Sequence, residues 1–248
     1  MCTVTFIPIN KTDFILTSSR DVPFIREKAL FPKLYSEDGV GIMYPKDGKA
    51  GGTWIGYSSK NRLICLLNGG FVNHYATTPS NIKYRKSRGV IVLDLLKESN
   101  IHSALSDINL DNIEPFTLVI VDWDSLTDTD KKEHIQLIEL VWDGSKKYIR
   151  FLPQKMHIWS SSTLYDSKMK NMRKKWFMEW QNSFCPKHVN KSELETLYKS
   201  QILNFHRFAG IGDCNVDVLM KRKYIGTVSI TQVSKLEGCI AMDYDTIS

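Results

Sequence analysis

The sequence lacks several features that would place it in common classes of protein. Its longest apolar runs, such as the one in FTLVIVDW, are interrupted by charge well before the roughly 18 residues that a membrane span requires. The first residues, MCTVTFIPINKTD, have no basic start and only a short apolar run, so they do not resemble an export signal. No GxGxxG or GxxxxGK motif suggests a phosphate-binding loop. We therefore expect a cytoplasmic protein without a membrane span.

Cysteine is scarce and unevenly spaced. The sequence contains an odd number of cysteines, with no short paired spacing: Cys2, Cys65, Cys185, Cys214 and Cys239. This distribution argues against both a disulfide framework and a zinc knuckle. We expect reduced thiols and no metal site.

Charge is balanced except for a modest positive excess, with a formal net charge of +6. Part of this excess lies in residues 168–175, where Met169, Met172 and Trp176 recur at helical spacing on the other side of the segment. A solvated helix face accounts for this pattern, whereas nucleic-acid binding would need several basic patches with exposed aromatic residues. We therefore expect no nucleic-acid partner.

The chain contains strand patterns first and a block of helices later. Four hairpins are predicted: CTVTFIPI with FILTSSR, TWIGYSS with RLICLLNGG, IQLIELVWDG with KKYIRFLP, and IGTVSITQV with EGCIAMDY. The turn of the last hairpin is expected around Lys235. FTLVIVDW and MHIWSSS are further predicted strands, and GIMYPKDGKAGG is expected to be irregular. Helices are predicted over residues 88–97, where the start of a strand is the alternative, and over residues 167–184 and 191–210. This order predicts a layered α+β sandwich, in one domain over residues 1–248.

The first hairpin predicts the surroundings of Cys2. With its turn near residue 11, paired positions sum to about 23, so residue 2 should lie opposite roughly residue 21, subject to a slip of one or two positions. If Met1 is removed, the Cys2 thiol gains a free α-amine, whose pKa of roughly 7.7 to 8.0 suits a general base. Asp21 could hold this amine, and Arg20 could favour the thiolate or position a substrate carbonyl. Otherwise, Cys2 is an ordinary strand residue and Arg20–Asp21 a surface ion pair.

A second candidate feature is the end of the strand RLICLLNGG. The two glycines after Asn68 allow a sharp bend that could expose the amide side chain and main-chain N–H groups, as an oxyanion site requires. A simple loop is the alternative interpretation of the same residues.

Several segments resemble a known family. They are MCT at the start, SRD at 19–21, GGTWIG at 51–56, LLNGGF at 66–71, and RKSRG followed by VLDLL over 85–96. Together they resemble the NRDE family, also called the Transport and Golgi organisation family, whose Asn-Arg-Asp-Glu signature stands here as Ser19–Val22 with Arg20 and Asp21 retained. The pattern is also similar to that of cysteine N-terminal-nucleophile hydrolases such as penicillin V acylases and bile-salt hydrolases. The resemblance implies an αββα four-layer sandwich of two stacked antiparallel sheets flanked by helices.

The resemblance leaves two functions open. One is a Cys2-dependent hydrolase or acyltransferase that acts on non-peptide amide or acyl substrates and needs no cofactor. The other is a non-catalytic protein that binds or transports haem, acyl-CoA or lipid, with His74 as a candidate haem ligand. The candidate catalytic residues are Cys2, Arg20, Asp21 and Asn68, and the candidate substrate-binding residues are Trp54, Gly69, His74 and Ser162.

Overall fold

The structure, a computed structural model, describes residues 2–75, 82–123, 134–184 and 191–247. The chain forms two compact units, the first made of residues 1–25, 155–160 and 165–248 and the second of residues 26–154 and 161–164. The expectation of one domain over residues 1–248 remains a prediction.

The described residues form two antiparallel sheets and four helices. In chain order the elements are β1 (Cys2–Pro8), β2 (Phe14–Pro23), β3 (Leu30–Glu37), β4 (Val40–Lys46), β5 (Ile55–Ser58), β6 (Arg62–Asn68), α1 (Arg88–Lys97), α2 (Ile101–Asp107), β7 (Phe116–Trp123), β8 (Ile135–Trp142), β9 (Lys147–Leu152), β10 (His157–Ser160), α3 (Ser167–Ser183), α4 (Lys191–Phe208), β11 (Ile225–Leu236) and β12 (Cys239–Thr246). None of these four helices has the length and apolar character that a membrane crossing requires.

The first unit contains a five-stranded sheet in the order β10-β1-β2-β11-β12. Helices α3 and α4 cover one face of it, because their apolar stripes meet alternate residues of β1 and β2. The core cluster on this face comprises Ile7, Ile15, Phe177, Ile202, Phe205 and Val218. Burial of each of these side chains stabilises the unit by roughly 1.5–3 kcal/mol.

The second unit contains a seven-stranded sheet in which β3 to β9 follow one another in chain order. Helix α1 packs on β5 and β6. The glycines of the GGTWIG and RKSRG segments explain this close packing: a Cβ added to Gly52 would lie only 2.4 Å from the carbonyl carbon of Gly89. Thr53 N–H also donates to Gly89 O at 3.2 Å. These two glycines therefore serve the backbone contact between the two segments.

Several strands and turns differ from the sequence prediction. The predicted irregular segment GIMYPKDGKAGG contains most of β4, and β3 and α2 were not predicted. The glycine, proline and lysine content of β4 hides an alternation in which Val40, Ile42 and Tyr44 are buried. Proline is tolerated in β3 because this strand lies at the edge of its sheet. The turn of the last hairpin lies at Glu237 and Gly238, two positions beyond Lys235.

Candidate active site

The register of β1 and β2 determines which residue lies beside position 2. Asn10 Oδ1 accepts from the main-chain N–H groups of Thr12 and Asp13, both at 2.8 Å, and this turn pairs position 2 with Arg20. The partner is one position away from the predicted residue 21. Because opposed residues of an antiparallel pair share a face, position 2 and the buried Arg20 belong to one face of the sheet, and Asp21 belongs to the other.

Asp21 is fully buried on the face that carries the helices. Tyr165 Oη donates to Asp21 Oδ2 at 2.5 Å, and Thr227 Oγ1 donates to Asp21 Oδ1 at 2.6 Å. Burial raises the pKa of Asp21, while the two hydrogen bonds and the positive charge of Arg173 oppose the rise. Neither donor was recognised in the sequence, since both lie more than 140 residues away along the chain.

Arg173 corrects the interpretation of the basic segment 168–175 as a purely solvated face. Lys168, Lys174 and Lys175 are exposed, but Arg173 is completely buried. Its guanidinium lies 3.6 Å from the ring centroid of Tyr165 and donates to Thr3 Oγ1 and Asp217 O, both at 2.6 Å. The available sequence signal was its position four residues before the apolar Phe177, on the inner side of α3.

The positive charge of Arg173 opposes the rise in the pKa of Tyr165, and the guanidinium itself lacks one hydrogen bond among the described residues. Burial and the neighbouring Asp21 raise the pKa of Tyr165 well above its ordinary value, so this side chain stays a neutral hydrogen-bond donor. Arg173 Nε has no hydrogen-bond partner among the residues described.

His206 is a second buried polar group that the sequence did not reveal. Its Nε2 lies 2.9 Å from Thr5 Oγ1 and its Nδ1 lies 2.7 Å from Ser19 Oγ. Burial, together with the positive charge of Arg173, lowers the pKa of His206 from 6.5 to about 3. The imidazole is therefore neutral at physiological pH, and it ties α4 to β1 and β2.

In the second unit, three predicted residues come together at the end of β6. Gly69 has a φ of +86°, and a Cβ there would lie 3.2 Å from Ser162 Cβ. Ser162 Oγ donates to Gly70 O at 2.5 Å, which holds the loop in its bend. Gly69 N–H already donates to Pro115 O at 2.9 Å, so this N–H is not free to face a ligand.

Asn68 itself has the properties of an available donor. Asn68 as a whole residue is only 8% exposed, and its amide makes no hydrogen bond to any residue that the structure describes. The main-chain carbonyl of Asn68 is separately fixed by Ser161 Oγ, which donates to it at 2.7 Å. The backbone is thus held in place while the amide group keeps its hydrogen-bonding capacity.

Trp54 and His74 have other surroundings. Trp54 is buried, and its main-chain carbonyl accepts from Leu66 N–H at 2.8 Å. His74 Nε2 lies 3.2 Å from Glu114 Oε1, and Arg88 Nη2 lies 2.9 Å from the other oxygen of the same carboxylate. In the described ranges no group of three or more histidine, cysteine or acidic residues is arranged to hold a metal ion.

Comparison with solved structures identifies the fold. The N-acylethanolamine-hydrolyzing acid amidase ortholog of Caenorhabditis elegans matches with a TM-score of 0.60 and 12% identity, over 93% of this chain and 92% of that chain. Conjugated bile acid hydrolase from Clostridium perfringens, in a mutant form, matches with a TM-score of 0.44 and 10% identity, over 100% of this chain and 97% of that chain. The first match confirms the predicted α+β, N-terminal-nucleophile hydrolase-like fold, and at such identity it shows the fold alone.

The sequence itself gives the family. Residues 1–217 match the Transport and Golgi organisation 2 family, and the chain belongs to this family. The resemblance inferred from the motifs is thereby confirmed. No curated protein matches the chain in sequence.

Proposed function

We propose that the protein is a cysteine N-terminal-nucleophile amidohydrolase or acyltransferase in which Cys2 becomes the first residue after removal of Met1. The observation that carries this proposal is the pairing of position 2 with Arg20 at the start of β1. A guanidinium beside a thiol favours the thiolate, which is the nucleophilic form. The fold shared with an amidase supports amide chemistry, and that relative's N-acylethanolamine substrates support a non-peptide amide as the substrate class.

The reaction needs only groups that a processed N-terminus supplies. The α-amine takes the thiol proton while the sulfur attacks the acyl carbon, and collapse of the tetrahedral intermediate breaks the C–N bond. The ammonium returns its proton to the departing amine, which leaves a thioester on Cys2. Water then attacks the thioester and releases a carboxylic acid and the free thiol; a different acceptor would give acyl transfer.

Two further residues keep their predicted roles within this proposal. Asp21 lies on the face opposite to Arg20, but it can still orient the α-amine, because the amine is a main-chain group that can reach either face of the sheet. Tyr165 and Thr227 hold the carboxyl group of Asp21 in place. A carboxylate that accepts two hydrogen bonds still has lone pairs for the amine. The available amide of Asn68 supports its role as oxyanion donor.

Haem binding has less support. An axial histidine needs an accessible ring nitrogen. His74 is 7% exposed, and its Nε2 is engaged with Glu114. These surroundings do not fit an open haem ligand, and we derive no step through haem.

The proposal is tested with protein purified without an N-terminal tag. Intact-mass and N-terminal peptide mass spectrometry, before and after mild iodoacetamide treatment, should show loss of Met1 and preferential labelling of Cys2. In a panel of non-peptide amides and thioesters, Cys2→Ala should abolish turnover, whereas Cys214→Ala, at an exposed thiol, should retain it. Retained Met1, or turnover that survives Cys2→Ala, would contradict the proposal.

A further inference from the structure

The face of the five-stranded sheet that carries Arg20 has two adjoining rows of residues across β1, β2 and β11. The first row consists of position 2, Arg20 and Ser229, and the second of Val4, Ser18 and Thr231. The side chains of Arg20, Ser229, Val4, Ser18 and Thr231 share this face because successive residues of each strand alternate. The rows therefore adjoin position 2, which pairs with Arg20 at the end of the first row.

Three hydroxyl groups in these rows have no hydrogen-bond partner within the described ranges of the chain. Ser18, Ser229 and Thr231 are each 0% exposed, and none of their hydroxyl oxygens is bonded to any residue that the structure describes. Buried hydroxyls are normally hydrogen-bonded, so three unpaired ones in adjoining positions call for a physical explanation. The hydroxyls of Thr3, Thr5 and Ser19, on the opposite face of the same sheet, are all bonded.

The next row sets a limit to this polar patch. Phe6, Leu16 and Val233 are paired across the same three strands, and all three are completely buried. The face thus changes from polar to apolar within one row. A ligand group that satisfies the hydroxyls must be polar and compact.

The charge on this face indicates the sign of that group. Among the described residues of the five strands, the positions that share this face include two cationic side chains, Arg20 and Lys235, and no carboxylate. Hydroxyl groups can donate or accept hydrogen bonds, and beside a guanidinium they are best oriented as donors to an anion.

We propose that Ser18, Ser229 and Thr231, together with Arg20, form a subsite for an anionic, oxygen-rich group of the substrate, a carboxylate or a phosphate. This inference rests on the proposed function, since it places the subsite beside the nucleophile. Adjacent strands are about 4.8 Å apart, so Ser229, two strands away, lies roughly 10 Å from position 2. The substrate would then carry its anionic group several bonds away from the carbonyl that Cys2 attacks.

The first test measures equilibrium binding to the Cys2→Ala variant, in which no chemistry can occur. By calorimetry, hexanoate or hexyl phosphate should bind about tenfold more tightly than the neutral hexanamide, and comparison of the two anions distinguishes a carboxylate from a phosphate site. The preference should disappear when Ser18→Ala, Ser229→Ala and Thr231→Val are combined. It should survive Ser234→Ala, a control on the other face of β11.

Two results would overturn the subsite. In the first, hexanamide binds as well as the anions, or none of the three binds. In the second, the triple variant keeps the preference, as expected if the hydroxyls hold only water.

A second measurement separates the subsite from the proposed function. We compare labelling of Cys2 in the processed wild-type protein by 6-maleimidohexanoic acid and by its uncharged methyl ester. Faster labelling by the acid, lost in the triple variant, supports the subsite, and equal rates in the wild type count against it. If neither reagent labels Cys2, the proposed function fails, and the calorimetric result alone decides whether the anion subsite exists.

Discussion

The two faces of the five-stranded sheet carry similar residues in different states. On the helix-covered face, Thr5 and Ser19 bond to His206, and Asp21 bonds to Tyr165 and Thr227. On the other face, hydroxyl groups that are equally buried have no partner in the part of the chain that the structure describes. Both faces belong to the same strands, so the difference arises from the hydrogen-bond partners that each face meets.

This difference distinguishes polar groups that stabilise the fold from polar groups that we propose to bind a ligand. On the first face, Arg173 of α3 and His206 of α4 bond to Thr3, Thr5 and Ser19, and Tyr165 and Thr227 bond to Asp21. These bonded polar groups hold the sheet in place. Unsatisfied buried hydroxyls lower stability and call for an explanation, which the proposed anion subsite supplies. Substitutions on the helix-covered face should accordingly affect folding, whereas those beside Arg20 should affect binding.

The largest effect is expected for Arg173→Met. This change removes the donor to Thr3 and Asp217 and leaves the buried Asp21 without its nearby cation. Loss of one partner from a buried charge network costs about 3–5 kcal/mol of the free energy of unfolding, measurable by urea denaturation. Lys174→Met, at the next and exposed position, should change it by less than about 0.5 kcal/mol. Equal effects of the two changes would show that Arg173 is not structural.

His206→Gln should change the acid stability of the protein. Because the folded state lowers the pKa of His206 to about 3, this group contributes stability above its ordinary pKa of 6.5, and the contribution is lost as the pH falls from 6.5 through about 3. The loss amounts to roughly 4 kcal/mol in the wild type, and glutamine, which does not titrate, should remove it. Unfolding free energies measured from pH 7 to pH 3 check this. An unchanged slope in His206→Gln would contradict the expectation.

The sequence predicted the elements around the candidate site better than their exact register. The β1–β2 hairpin and α1 were recognisable because each depends on local pattern. The register could be predicted only to within one or two positions, and a single step decides whether Arg20 or Asp21 shares a face with position 2. Tyr165 and His206 could not be found, since their partners are distant in the chain and only the fold brings them together.

Tyr165→Phe should have an intermediate effect that depends on pH. Burial raises the pKa of Asp21, so the contribution of Asp21 to stability is greatest below its ordinary pKa of 3.8 and falls as the pH rises through the raised value. The hydrogen bond from Tyr165 limits this fall. Its loss should cost about 2 kcal/mol near pH 7 and less near pH 4. Unfolding measurements at both pH values, with the exposed Tyr224→Phe as control, test it. A cost that is equal at both pH values would mean that Tyr165 does not interact with an ionised Asp21.

The smallest effects come from a matched pair of substitutions, Thr5→Val and Thr231→Val. Both threonines are completely buried in the same sheet, and valine preserves their shape. Thr5→Val removes a hydrogen bond to His206 and should cost about 1 kcal/mol. Thr231→Val removes a hydroxyl that has no partner in the described residues, so the free energy of unfolding should stay the same or rise by up to about 1 kcal/mol. Urea denaturation of both variants measures the contrast directly. Equal destabilisation by the two changes would mean that Thr231 has a structural partner such as a buried water, and the two faces would then not differ. If Thr231→Val leaves the free energy of unfolding unchanged but weakens anion binding, the hydroxyl serves the ligand.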